Sequence, residues 1–200
     1  MIFSDVVREN RAEKRVPVEP EFWLLIFGDL FVFSAMFIAF IVARFESEAT
    51  TQVFIAGSLS LNQAIGLSNT LILLTSSLFV AQGLAYFRAN QFRLANRSLL
   101  CGIGCGLSFV GLKLFEYIEK YDQGLTVTTS DFFGYYFTFT GVHLLHVVIG
   151  ISLLGFIVFK IKKQQEQALP SQGLFEGVAC YWHMVDLLWL MLFSLFYLLN

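Results

Sequence analysis

Charge is what this chain has least of. Asp, Glu, Lys and Arg make up only 14% of its 200 residues, where a soluble domain carries about a quarter. The formal net charge is −2, which offers no basic field and argues against nucleic acid as a partner. Cysteine is scarce too. Cys101, Cys105 and Cys180 all fall in apolar stretches and build no disulfide framework. Cys101 and Cys105 stand one helical turn apart, a spacing that fits small packing residues better than metal ligands. There is no phosphate loop, dinucleotide fingerprint, nucleophile elbow or Cys-x-x-Cys pair. A secretory signal is missing as well. Arg8, Glu9, Arg11, Glu13, Lys14 and Arg15 run through the start, and the apolar run opens only near Phe22. Residues 1–20 read as a cytoplasmic polar tail and 21–200 as a single transmembrane domain, with no internal repeat.

What is present is apolar. Hydrophobic residues reach 56%, and 23 of them are Phe, a surplus that fits lipid-facing helices. A helix needs about 20 apolar residues to cross a bilayer. Five runs qualify: Phe22 to Arg44, Leu67 to Arg88, Leu99 to Ile118, Phe132 to Phe159 and Val178 to Leu199. They are continuous and lack the alternation of barrel strands, so the expected fold is all-α, an integral membrane bundle of five transmembrane helices. The connection from Phe45 to Gly66 reads as a polar loop. Arg8, Arg11, Lys14, Arg15, Arg88, Arg93, Arg97, Lys160, Lys162 and Lys163 would share one side, which is ten of the 13 basic residues. The excess of Lys and Arg marks the cytoplasmic side, giving an N-in/C-out topology. Trp23, Tyr181 and Trp182 read as interfacial anchors. Gly102, Gly104, Gly106, Gly111, Gly141 and Gly150, with Thr75, Ser76 and Ser77, read as sites of close helix packing.

Seven ionisable residues lie within the spans: Asp29, Lys113, Glu116, His143, His146, His183 and Asp186. Such groups are costly in hydrocarbon and persist when they face the bundle interior with partners. At about 1.5 Å per residue, Asp29, His146, His183 and Asp186 all fall roughly 8–12 Å from the inner edge, with His143 one turn further out. An inner-half cluster of Asp29, His143, His146, His183 and Asp186 is therefore expected. Lys113 and Glu116, three apart on one helix, make an outer-half ion pair. Three histidines and two carboxylates suit a hydrogen-bond network, a proton relay or a zinc or iron site. The network is the commonest use of such groups, and no catalytic, cofactor-binding or metal residue is assigned.

Several stretches in order carry a resemblance. Tyr181-Trp182-His183-x-Val185-Asp186-x-x-Trp189, followed by Tyr197, resembles the last helix of subunit III of the haem-copper oxidases. Thr140-Gly141-x-His143-x-x-His146-Val147-x-x-Gly150 resembles the helix before it. Glu116-Tyr117 with Thr129-Ser130-Asp131 and Gly134 resembles the segment between, and Asn69-Thr70 with Ser76-Ser77 an earlier helix. The resemblance covers about residues 21–199 and is to the five-helix form, without the first two helices of longer members. Lys113-x-x-Glu116-Tyr117 and Trp182-His183-Met184-Val185-Asp186 look most like the NorE-like branch associated with nitric oxide reductase and denitrification. Asp29 stands where many members have a carbodiimide-reactive Glu, and Lys113 where oxidase members tend to carry Gln.

The resemblance implies an accessory, non-catalytic multi-pass subunit of a bacterial inner membrane, in respiratory electron transport. It would stabilise a catalytic subunit I of a haem-copper oxidase or nitric oxide reductase, bind membrane phospholipid and assist proton uptake, with Asp29 as the proton-related carboxylate. Haem and metal centres would lie in partner subunits, with no cofactor in this chain. The residues alone leave a second reading open, a small transporter or channel using the polar groups as its path.

Overall fold

A computed structural model describes residues 20–163 and 170–199. The expected polar tail lies outside the described residues except for Pro20. Among the described residues every regular element is helical: α1 (Pro20–Arg44), α2 (Glu48–Leu59), α3 (Gln63–Arg88), α4 (Phe92–Asp122), α5 (Asp131–Lys163) and α6 (Gln172–Phe193), which runs into a π-helical segment, Ser194–Leu198. Five of the helices are long and apolar enough to cross a membrane. Their bounds exceed the apolar runs: α4 opens at Phe92 rather than Leu99, and α6 at Gln172 rather than Val178. Hydropathy marks the part of a helix that suits hydrocarbon, while backbone hydrogen bonding continues into the polar flanks.

Local chemistry sets the ends. Asn62 caps α3, its side-chain oxygen accepting from the Ala64 and Ile65 amides, and Ser171 caps α6 by accepting from Leu174 at 3.1 Å. Between α3 and α4, Asn90 takes a left-handed φ of 57°, and the Gln91 amide reaches back to the Tyr86 carbonyl at 2.9 Å. Gly124, at φ 75°, does the same after α4, where the Leu125 amide bonds the Lys120 carbonyl at 2.9 Å. Asn and Gly are the residues that tolerate this conformation, so both reversals are written in the sequence.

Helices α3 to α6 pack as an up-and-down bundle in which α6 lies between α3 and α5. Helix α1 rests against α6 and against α2. The segment Phe45 to Gly66 is not simply a loop. Ser47 accepts from the Thr50 amide at 3.1 Å and starts α2, and Phe54 on that helix is fully buried. Twelve residues are too short for a span, and the Ser, Thr and Gly of this segment masked its helical character.

The phenylalanine surplus faces both ways. Phe27, Phe31, Phe115 and Phe159 are exposed, as lipid contact requires. Phe40, by contrast, is fully buried against Phe54 at 5.1 Å and Phe196 at 5.0 Å between ring centroids. Phe132 and Phe139 extend that aromatic core, so part of the surplus joins α1, α2, α5 and the terminal segment. Tyr181 and Trp182 are interior residues rather than interfacial anchors, at 2% and 0% exposure. Of the glycines expected at close contacts, Gly102, Gly106 and Gly150 sit against neighbouring helices, whereas Gly104, Gly111 and Gly141 face open space. Ser76 adds a cross-helix bond to the Gly102 carbonyl at 2.8 Å. Cys101 is exposed and is not a packing residue, while Cys105 is partly covered.

The chain end is tied down. A helix leaves its last carbonyls without partners, and here three elements supply donors. Ser58 of α2 donates to the Phe196 carbonyl at 2.8 Å, Gln63 of α3 to Tyr197 at 2.9 Å, and Arg44 of α1 to Leu199 at 2.6 Å.

Packing at Gly150 is the tightest test of the α5–α6 contact. An added Cβ would lie 2.7 Å from the Trp182 ring, whereas one on Gly141 of the same helix meets nothing within 4 Å. Gly150→Ala is expected to destabilise by about 1–3 kcal/mol through overpacking. Gly141→Ala should be neutral or gain up to about 1 kcal/mol of helix propensity. Thermal unfolding of both variants in mild detergent checks the contrast.

Candidate functional site

Two charges lie at the centre of the bundle. Lys113 and Glu116 on α4 are both 0% exposed, and their ion pair spans 2.9 Å. The i,i+3 spacing puts them on one face, and burial makes any unused hydrogen bond expensive. An ammonium has three donors, and all three are used. Lys113 Nζ donates to Glu116 Oε2 at 2.9 Å, to the Tyr136 hydroxyl of α5 at 2.8 Å and to the Tyr197 hydroxyl of the terminal segment at 3.0 Å. The Tyr197 hydroxyl in turn donates a hydrogen bond to Glu116 Oε1 at 2.6 Å, so both carboxylate oxygens are engaged.

Aromatic faces complete the cage. Lys113 Nζ stands 4.6 Å from the Tyr136 ring centroid and 5.1 Å from that of Trp189, distances at which the ring quadrupole attracts a cation. The cage walls are themselves bonded. Trp189 Nε1 donates to Thr70 Oγ1 at 3.1 Å, and Thr70 donates to the Gly66 carbonyl at 2.9 Å. Thr140 spends its proton on the Tyr136 carbonyl, so in its 2.6 Å contact with Tyr117 it is Tyr117 that donates. The charged pair is fully buried and internally paired. It holds α4, α5, α6 and the chain end in one register.

The five residues expected as one inner cluster occupy three separate places. Asp29 and His146 pair across α1 and α5, with Oδ1 and Nε2 3.4 Å apart and side chains 25% and 15% exposed. His146 Nδ1 bonds the Val142 carbonyl at 2.8 Å. A carbonyl only accepts, so that nitrogen carries a proton and Nε2 is the one turned to Asp29. His143 is fully buried beside the rings of Phe109 and Trp189, at 5.8 and 5.4 Å. His183 bonds Ser77 of α3 through Nδ1. The Asp186 carboxyl lies against the same Ser77 without meeting hydrogen-bond geometry.

This scatter has a simple cause. Depth along a span is only one coordinate, and residues at one depth can point to different neighbours. His146 turns toward α1, while His183 turns toward α3. Among the described residues no group of three or more His, Cys, Asp and Glu side chains is placed to hold a metal. The sequence reading missed Tyr136 as a site residue, although Tyr136 and Thr140 share a helical face by their i,i+4 spacing. It also missed Ser77 as a partner of His183, for which no local signal existed.

The family model described as cytochrome c oxidase subunit III matches residues 4–200. Among curated relatives, cytochrome c oxidase subunit 3 of Bacillus subtilis is 26% identical over 212 residues, covering 97% of this chain and 98% of its own. The probable quinol oxidase subunit 3 of Staphylococcus aureus is 24% identical over 183 residues, covering 90% of this chain and 87% of its own. The heme-copper oxidase subunit I+III of Aeropyrum pernix is 25% identical over 178 residues. That match takes in 88% of this chain but only 22% of the much longer relative.

The cage has a measurable signature. Removing one member of a buried ion pair strands the other and costs about 3–5 kcal/mol, while replacing both with apolar groups is close to neutral. Lys113→Met and Glu116→Leu should therefore each lower thermal stability sharply. The double variant should recover most of the loss. A double variant as unstable as either single one would contradict the lock.

Proposed function

The chain belongs to the cytochrome c oxidase subunit III family, and from that premise we propose that it is an accessory membrane subunit that stabilises a catalytic subunit of the haem-copper oxidase class. One observation carries the reading: the family match runs through nearly the whole chain, residues 4–200, and so takes in every described helix. The interior supports it, because the charged centre is sealed and fully paired. A transport path would need those groups open to water. In this reading the electron-transfer centres belong to the partner, as the fused subunit I+III relative suggests.

Finer features of the same proposal rest on separate observations. Lys113 with Glu116-Tyr117 favours the branch associated with nitric oxide reductase, since the lysine departs from the oxidase pattern. Lipid binding is supported by the broad apolar face of α1, where Leu24, Phe27, Phe31 and Val42 are all more than half exposed. Proton assistance is assigned to Asp29, whose partly exposed carboxyl faces His146. An N-in/C-out orientation is supported by charge, and a bacterial inner membrane by the bacterial relatives. The up-and-down order puts Arg88, Arg93, Arg97, Lys160, Lys162 and Lys163 at one end of the bundle. The two basic residues at the other end, Arg44 and Lys120, are buried and bonded to carbonyls. That end therefore presents no free cation among the described residues, and the bias of the positive-inside rule is sharper than the sequence count.

The experiment is a mild-detergent purification of the full chain from its native membrane. Co-isolation of a catalytic subunit bearing haem is the expected result, and its spectrum and activity distinguish oxygen from nitric oxide reduction. Isolation of the chain alone, with no haem protein, would overturn the reading. In the assembled complex Asp29→Asn should slow proton uptake and shorten the working life of the enzyme under turnover. Unchanged uptake and lifetime would remove the proton role and leave the accessory role intact.

A further inference from the structure

The helix α6 is covered by α3 on one side and α5 on the other, with α1 against it. A strip of it stays uncovered. Leu187, Leu190 and Met191 are 46%, 37% and 50% exposed. With Phe37 and Ile41 of α1 and with Ser194 they line a groove of about 470 Å³. At the head of this strip, one turn before Leu187, stands His183. It is half-buried, as is its partner Ser77. The second ring nitrogen of His183 makes no hydrogen bond among the described residues. Behind it the 5% exposed carboxyl of Asp186 also has both oxygens unbonded.

The depth of this polar spot decides what can cover it. His183 lies 11 residues into α6 and Ser77 lies 11 residues before the end of α3, about 17 Å from the same end at 1.5 Å per residue. Counted from Val178, where the apolar run of α6 opens, His183 lies about 8 Å inside a hydrocarbon core about 30 Å thick. Lipid tails cannot hydrogen-bond an imidazole, and headgroups do not reach that depth. A transmembrane helix can do so, because Ser, Thr, Asn or backbone-exposing small residues bond across helix pairs in hydrocarbon. We propose that the α6 strip from His183 to Ser194, walled by α1, is the docking groove for a transmembrane helix of the partner catalytic subunit. The partner helix presents a hydrogen-bonding side chain to His183 Nε2 and apolar side chains to Leu187, Leu190 and Met191. This inference rests on the accessory-subunit reading.

A photo-crosslinking residue, benzoylphenylalanine, separates the two claims when placed at Leu187 or at Leu107. Leu107, 56% exposed, lies on α4, across the bundle from the strip. In native membranes the Leu187 position is expected to give an adduct with the catalytic subunit, and the Leu107 position none. An adduct at Leu107 instead, or one at Leu187 with lipid or a second copy only, overturns the groove. Co-isolation of the catalytic subunit would still hold in that case. Absence of both adduct and co-isolation overturns the groove together with the accessory reading. His183→Leu should lower the catalytic subunit retained per chain roughly three- to tenfold, the scale of one interhelical hydrogen bond in a membrane. His183→Gln should retain most of it. Circular dichroism and thermal unfolding of the purified variants show whether the bundle itself survives. Retention unchanged in a folded His183→Leu chain contradicts the proposal.

Discussion

The ion pair between Lys113 and Glu116 is the constraint around which this bundle is organised. Burying two charges costs several kcal/mol each even after relaxation, so the pair survives only because every donor and acceptor is met. Tyr197 is the demanding partner. It contributes to both charges, yet it lies in the last turn of the described helical segment, where helices ordinarily fray. The fold responds by fastening that end from three directions, through Ser58, Gln63 and Arg44. Those three residues come from α2, α3 and α1. The chemistry of one buried pair thus reaches every helix, including α2, which is too short to cross the membrane.

The same logic separates interior from periphery. The charged centre is buried from solvent and lipid and ties α4, α5 and the terminal segment together. Two other polar pairs lie nearer the surface of the bundle, Asp29 with His146 on the α1 side and His183 with Ser77 on the α6 strip, while His143 stays fully buried. A chain whose charged core is locked, and which keeps the Asp29–His146 and His183–Ser77 pairs near its surface, is built to hold a shape against something else. That agrees with membership of a subunit III family.

Much of this was legible from residues alone. The five spans followed from hydropathy, and the Lys113–Glu116 pair followed from i,i+3 spacing and the cost of an unpaired charge. The inner cluster was half legible. Counting residues placed Asp29, His146 and His183 near one depth, but it carried no information on which neighbour each side chain faces. Helix α2 was hidden by its Ser, Thr and Gly content, since its stability comes from the burial of Phe54 rather than from propensity. Trp182 and Tyr181 look like boundary residues by type and position. Their burial depends on Gly150 and Gly106, which open the space for the Trp182 ring.

Hydrogen–deuterium exchange of the backbone amides from Phe193 to Leu199 tests the lock most directly. If Tyr197 joins the caged pair and its carbonyls are tied to α1, α2 and α3, this chain end exchanges as slowly as the centre of α4 and α6. Rapid exchange of that segment, as for an ordinary frayed terminus, beside a protected bundle would contradict it.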